Sequence, residues 1–211
     1  MEEIERFEKA LRLVERYEGY LFRRAMGISL IICGIIFPFT AFLVLNSRTI
    51  ASLLNMSVQA FLLFIPPIII LTGIAAIIFL FTSAHVVTSK MRKEPMWKDA
   101  PHMVLMFLVW FIPFYLTNYV PETYSTLSWL WAGACASILS YLLMRKDPVE
   151  GKYTELLVIG VFCTVSSIPL LFLKDQQLVI AATFLVFTLS FIAGGIYSIL
   201  DASKLLGIGE K

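Results

Sequence analysis

Few side chains in this 211-residue sequence are equipped for chemistry. The two histidines, His85 and His102, could share a cation, but two imidazoles without a third ligand do not make a metal site. No metal or cofactor is therefore expected. Asp201 and Lys204 stand three residues apart, the spacing of an ion pair on one helical face. Asp201 closes a long apolar run, so its carboxylate faces the negative end of a helix dipole, and a cation such as Arg23 or Arg24 would offset that. Glu155 opens another run, where a carboxylate suits the dipole. Cys33, Cys135 and Cys163 all fall inside apolar runs with no C-x-x-C spacing, so they read as small apolar fillers rather than a redox or disulfide set. No serine, histidine and acid are placed to converge on a nucleophilic site. No Walker lysine loop is present. An enzyme is not expected, and the chemistry that remains is ion pairing and packing.

The elements that would position these groups are set by where charge is missing. Hydrophobic residues make up 59% of the chain and charged ones 15%, a balance far more apolar than a soluble domain requires. Residues 25–47, 49–89, 100–121, 123–144, 156–173 and 176–200 contain no Asp, Glu, Lys or Arg. A helix needs roughly 20 such residues to cross the hydrocarbon core. The expectation is an all-α, polytopic membrane protein of six transmembrane helices. The second block is too long for one span, and its polar start suggests an interfacial or re-entrant segment at 49–59 before a span from residue 60 to about 82. Ahead of the first span, Ile4, Phe7, Leu11, Val14 and Leu21 recur at helical spacing with charged residues between them, so residues 1–24 read as an amphipathic helix lying on the membrane, packing under the bundle or docking a partner. The domain plan is thus 1–24, a six-helix domain over 25–204, and a tail at 205–211.

Orientation follows from Lys and Arg. Fifteen of them lie before span one, between spans two and three, between four and five, or after six; only Arg48 and Lys174 lie on the other side. The positive-inside rule then predicts a cell-membrane protein with both termini cytoplasmic. The modest net charge of +2 argues against nucleic acid as a partner.

Prolines and small residues alternate along the spans. Pro38, Pro113 and Pro169 fall on outward-running spans, and the pair Pro66 and Pro67 on the second. All five are candidate kinks. Gly73, Gly133, Gly194 and Gly195 sit in small-residue clusters on the inward-running spans, where they would let helices approach closely. The pattern reads as a hairpin repeated three times. Thr40, Thr117, Thr164, Ser166 and Ser167 lie beside the prolines, suited to cover the carbonyls the prolines free. Tyr115, Tyr119, Tyr124, Trp129 and Trp131 gather towards the outer face as an anchoring belt.

In layout the chain resembles the six-span permeases of ABC exporters, which also carry an amphipathic helix before span one and both termini inside. The resemblance is one of topology, and it implies a membrane-domain subunit of a multi-component transporter, energised by a separate ATPase. The other reading is a non-transporting scaffold, assembly or regulatory subunit of a membrane complex. Besides the lipid bilayer, either reading expects a protein partner or a second copy at the cytoplasmic face, where Arg23, Arg24, Lys90, Arg92, Lys93, Arg145, Lys146, Asp201 and Lys204 are the candidate interface. A transport subunit should hold a polar-lined path or a groove between kinked helices; a scaffold should be close-packed.

Overall fold

The computed structural model of the chain describes residues 2–92, 100–121, 124–144 and 153–205. Among these there is no strand, and seven helices follow one another: α1 (Glu2–Leu45), α2 (Ser47–Leu53), α3 (Val58–Arg92), α4 (Ala100–Leu116), α5 (Ser125–Met144), α6 (Thr154–Leu170) and α7 (Gln176–Leu205). A 3₁₀ turn, Thr117–Tyr119, extends α4.

Among the described residues, four stretches are long and apolar enough to cross a membrane: Glu5–Leu45, Val58–Val87, Ser125–Met144 and Gln176–Leu205. They mark a membrane-associated, all-helical protein. The remaining two long apolar segments, α4 and α6, have 17 residues each, about 26 Å at 1.5 Å per residue. Helix length alone therefore supports four spans and leaves α4 and α6 at the lower limit of spanning length. α4 ends three residues after Pro113, with the 3₁₀ turn following it, and α6 ends one residue after Pro169.

The amphipathic segment is not a separate helix. α1 runs unbroken for 44 residues through the expected boundary at 24 and 25, because nothing between Glu2 and Pro38 interrupts a sequence of good helix formers apart from isolated glycines. Between α1 and α3, the short α2 and a turn carry residues 46–57. Asn55 there has a positive φ of 52°, which asparagine tolerates better than most residues. Leu43, Ala51 and Phe61 form a small buried cluster that ties this turn to both long helices.

Pairs of touching residues fix the helix directions. On α1 and α7, Gly27 meets Gly195 and Gly34 meets Phe191, so the two run antiparallel. Trp131 with Ser167 and Ile138 with Gly160 make α5 and α6 antiparallel. Glu155 with Ser198 and Ile159 with Gly194 do the same for α6 and α7. Trp110 with Phe191 and Phe114 with Phe187 oppose α4 to α7. Ile36 packs on Gly73, while Leu43 near the end of α1 clusters with Phe61 near the start of α3, which opposes that pair too. Direction thus alternates from α1 through α3, α4, α5 and α6 to α7.

The main core belongs to α1, α5, α6 and α7: Leu30, Leu130, Leu156, Cys163, Phe187 and Phe191 are buried together. Phe187 and Phe191 stack at 4.3 Å between centroids, and Phe37 stacks on Phe114 at 5.0 Å. α3 leans on α1 and α2, leaving Leu63, Leu71 and Phe79 exposed. Such lipid-like exposure is what an apolar helix at the margin of a bundle shows.

Candidate functional site

Among the described residues, a polar assembly built from several helices lies where α1, α6 and α7 converge. Arg23 on α1 is 4% exposed. One of its guanidinium nitrogens, Nη2, lies 2.7 Å from Asp201 Oδ2 and 3.2 Å from Glu155 Oε2. The side chains of Arg23 and Glu155 are 5% and 1% exposed, and that of Asp201 is 23% exposed. Ser198 donates to Glu155 Oε1 at 2.9 Å, and its hydroxyl oxygen lies 3.1 Å from the Arg23 carbonyl. The guanidinium also sits over the Tyr153 ring, 5.6 Å from its centroid, a distance at which the ring's quadrupole attracts a cation. At the rim, Lys204 Nζ reaches Asp201 Oδ1 at 3.3 Å from a side chain that is 70% exposed.

Each member is placed by its helix. Glu155 is in the first turn of α6, where its charge also faces the positive end of the dipole. Ser198, Asp201 and Lys204 lie on successive turns near the end of α7. Arg23 reaches them because α1 and α7 touch backbone to backbone one turn away: a Cβ on Gly27 would come within 2.6 Å of the Gly195 carbonyl oxygen, and one on Gly195 within 2.5 Å of the Gly27 carbonyl oxygen. Nothing larger than glycine fits at either position without separating the helices.

A buried ion pair gains little net free energy, because desolvation offsets most of the attraction, but removing one partner strands the other at a large penalty. The cluster thus fixes register and holds three helices together. The cation is held between two carboxylates and over a tyrosine ring, while Ser198 bridges Glu155 and the Arg23 backbone, so the arrangement is one of ion pairing across three helices.

The sequence-derived candidates distribute as follows. Asp201 does meet Arg23, and Lys204 pairs with Asp201. Arg24 is exposed, with its guanidinium 3.1 Å from the Tyr20 hydroxyl. Arg23 itself is not a surface charge open to a partner, since its helical face turns into the bundle with Met26 and Leu30. Glu155, expected to serve only the helix dipole, is the buried counter-ion. Lys90 and Arg92 are on the last turns of α3, their side chains outside the described ones; Lys93, Arg145 and Lys146 lie outside the described residues, as does the side chain of His102. His85 is buried on α3. Among the described residues, no group of three or more His, Cys, Asp or Glu is close enough to hold a metal.

All four expected packing glycines are at helix contacts: Gly73 against Ile36, Gly133 against Phe187, Gly194 against Ile159, and Gly195 against Gly27 and Ile31. Gly27, the other half of the closest approach, was not singled out; its spacing of seven from Gly34, two turns on the same face, is the signal that carries it. Pro38, Pro66, Pro67, Pro113 and Pro169 all lie within helices. The hydroxyls beside them do not cover the freed carbonyls. Thr117 donates to Phe114, Thr164 to Gly160 and Ser167 to Thr164, since a helical hydroxyl reaches the carbonyl three or four residues back. Thr40 Oγ1 is buried with no partner, as are the hydroxyls of Ser137, Ser140 and Thr183.

The aromatic belt divides. Phe107, Phe111 and Tyr115 stack one after another along the exposed face of α4, Tyr119 on the following turn meets Tyr115 edge to face, and the two tyrosine hydroxyls lie 2.9 Å apart. Tyr124 lies against Trp131, 6.4 Å apart. Trp129 instead turns inward against Phe37 and Phe114, and the Trp131 indole N–H donates to Ser167 Oγ at 3.1 Å, linking α5 to α6. The niche between α1 and α3, edged by Ile32, Cys33, Ile36, Ile70, Gly73 and Ile77 among others, has a wholly apolar lining.

No protein-family model matches the chain, and no curated protein or solved structure is significantly similar to it.

Proposed function

We propose that the chain is a non-transporting membrane subunit, a scaffold, assembly or regulatory component of a membrane complex. The Arg23–Glu155–Asp201 cluster is the observation that carries this reading. Its charges are spent on one another rather than turned to a path, and with the Gly27–Gly195 contact it closes the end of the bundle where α1, α6 and α7 meet. A transport subunit would be expected to offer a polar-lined route through the bundle, and the niche between α1 and α3, more than two turns along α1 from the cluster, is apolar.

In this reading the bundle crosses the bilayer six times, with both termini in the cytosol. The alternating helix directions suit that count, and 17 residues is the lower limit of what spans. Fifteen Lys and Arg at one end against two at the other support the orientation.

Two measurements test the proposal. Native mass spectrometry of the chain extracted with its own lipid should find it with a protein partner that has no nucleotide-binding loop. Stoichiometric recovery with an ATPase, and ATP hydrolysis that rises with a transported compound, would replace this function with the permease. Labelling with a membrane-impermeant maleimide should reach a cysteine at position 174 from outside intact cells and one at position 11 only after lysis.

The permease reading, with a separate ATPase as the energy source, draws on one specific observation. Thr40, Ser137, Ser140 and Thr183 are buried hydroxyls without partners, and such groups inside a bundle attract water.

A further inference from the structure

The first turns of α1 extend beyond the described ends of α3 and α7. Along the α1–α7 contact Arg23 pairs with Asp201 and Gly27 with Gly195, so the end of α7 at Leu205 lies level with about residue 19. On α1's other neighbour, Gly73 faces Ile36, and the 19 residues from there to Arg92 bring the end of α3 level with Tyr17. Residues 5–13 of α1 continue past both and are all exposed. Residue 5 is 18 positions from Arg23, roughly 27 Å along the axis.

This extension carries an apolar row in register with an interface already made. Ile36, Ile32, Ser29 and Ala25 step back along α1 by three and four residues, and Ile36 and Ile32 meet α3. The same steps continue through Leu21, Glu18, Val14, Leu11 and Phe7. Phe7 is 70% exposed and Leu11 51%, with Leu13 beside them at 61%. One edge of the row is acidic, formed by Glu8 and Glu15. Arg12 approaches Glu8 at 3.7 Å with both side chains open to water, a contact of little strength.

We propose that this N-terminal extension is a docking surface for a basic amphipathic helix of a partner protein, which packs on Phe7, Leu11 and Val14 in line with α3 and sets Lys or Arg along Glu8 and Glu15. The placement of the partner in the cytosol rests on the orientation proposed above. Charge selects this occupant. Residues 2–22 contain six Glu against four Lys and Arg, a poorer match to an anionic lipid surface than the Lys- and Arg-rich faces of membrane-surface helices. The continuous helix also holds Phe7 about 24 Å from Arg23 along the axis, past the headgroup layer.

The test uses the full chain in nanodiscs of zwitterionic lipid, which leave both faces open, so its outcome does not depend on orientation or on the scaffold reading. The probes are two synthetic helical peptides with the same leucine seam, one edged with Lys and one with Glu, each corrected for binding to empty nanodiscs. The Lys-edged peptide should bind at least about tenfold more tightly than the Glu-edged one. Leu11→Asp should abolish that binding, and Glu8→Lys with Glu15→Lys should reverse the preference. Equal binding of the two peptides, no binding of either, or indifference to Leu11→Asp overturns the proposal. Two further results also overturn it, using a polarity-sensitive dye on Leu11→Cys: a blue shift on moving the peptide-free chain into anionic nanodiscs, which assigns the row to lipid, and disulfide cross-linking between copies, which assigns it to self-association.

Discussion

Arg23 and Glu155 are 132 residues apart in the sequence and 3.2 Å apart in the fold, both withdrawn from solvent. The pair closes one end of the bundle, and its energetics are asymmetric. Arg23→Ala leaves Glu155 buried without its cation and should lower stability by about 3–5 kcal/mol. Arg23→Met with Glu155→Leu should recover most of that loss, because Asp201 keeps Lys204. Thermal unfolding in detergent measures both. A single variant as stable as the parent would remove the cluster from its structural role.

The α1–α7 crossing should tolerate no added methyl. Gly27→Ala and Gly195→Ala each force a Cβ against a backbone oxygen and should cost about 1–3 kcal/mol. Gly73→Ala, where the new atom meets only the mobile end of Ile36, should cost less. Melting temperatures in the reverse order would mean the helices part easily.

Ser137 and Ser140 bear fully buried hydroxyls without partners. Replacing either by alanine removes an unsatisfied polar group and should leave stability unchanged or raise it by up to about 1 kcal/mol. Destabilisation on Ser137→Ala or Ser140→Ala would show that the hydroxyls hold water, and would favour the permease.

Trp131 links α5 to α6 through its bond to Ser167. Trp131→Phe keeps the ring and loses the donor, so unfolding should become easier by about 0.5–1.5 kcal/mol. Combining it with Ser167→Ala should cost little beyond the single change, since both act on one bond.

Deleting residues 2–13 should leave the melting temperature within experimental scatter, because residues 5–13 are exposed and contribute nothing to the core. Deleting 2–24 removes Arg23 and should unfold the chain. Equal effects of the two deletions would show that the extension is part of the folded unit.

The sequence by itself determined the class of the protein, all-helical and membrane-associated, and the uneven distribution of its Lys and Arg. Apolar runs without charge can satisfy their backbone in lipid only as helices, and an uneven distribution of Lys and Arg is a one-dimensional quantity. It also named the close-packing glycines and the partner that Asp201 needed. Where each helix stops was less legible, because a proline's effect on the last turn depends on what caps it, and α4 and α6 end soon after Pro113 and Pro169, short of the blocks that contain them, while α1 runs on past Pro38. Which charges meet was decided by the tertiary structure alone. Arg23 reads as one of six cations before the first span, and Glu155 as a helix-start carboxylate. Only the Gly27–Gly195 contact, which draws α1 against α7 until backbone meets backbone, and the return of α6 beside them turn those two side chains to the same buried point.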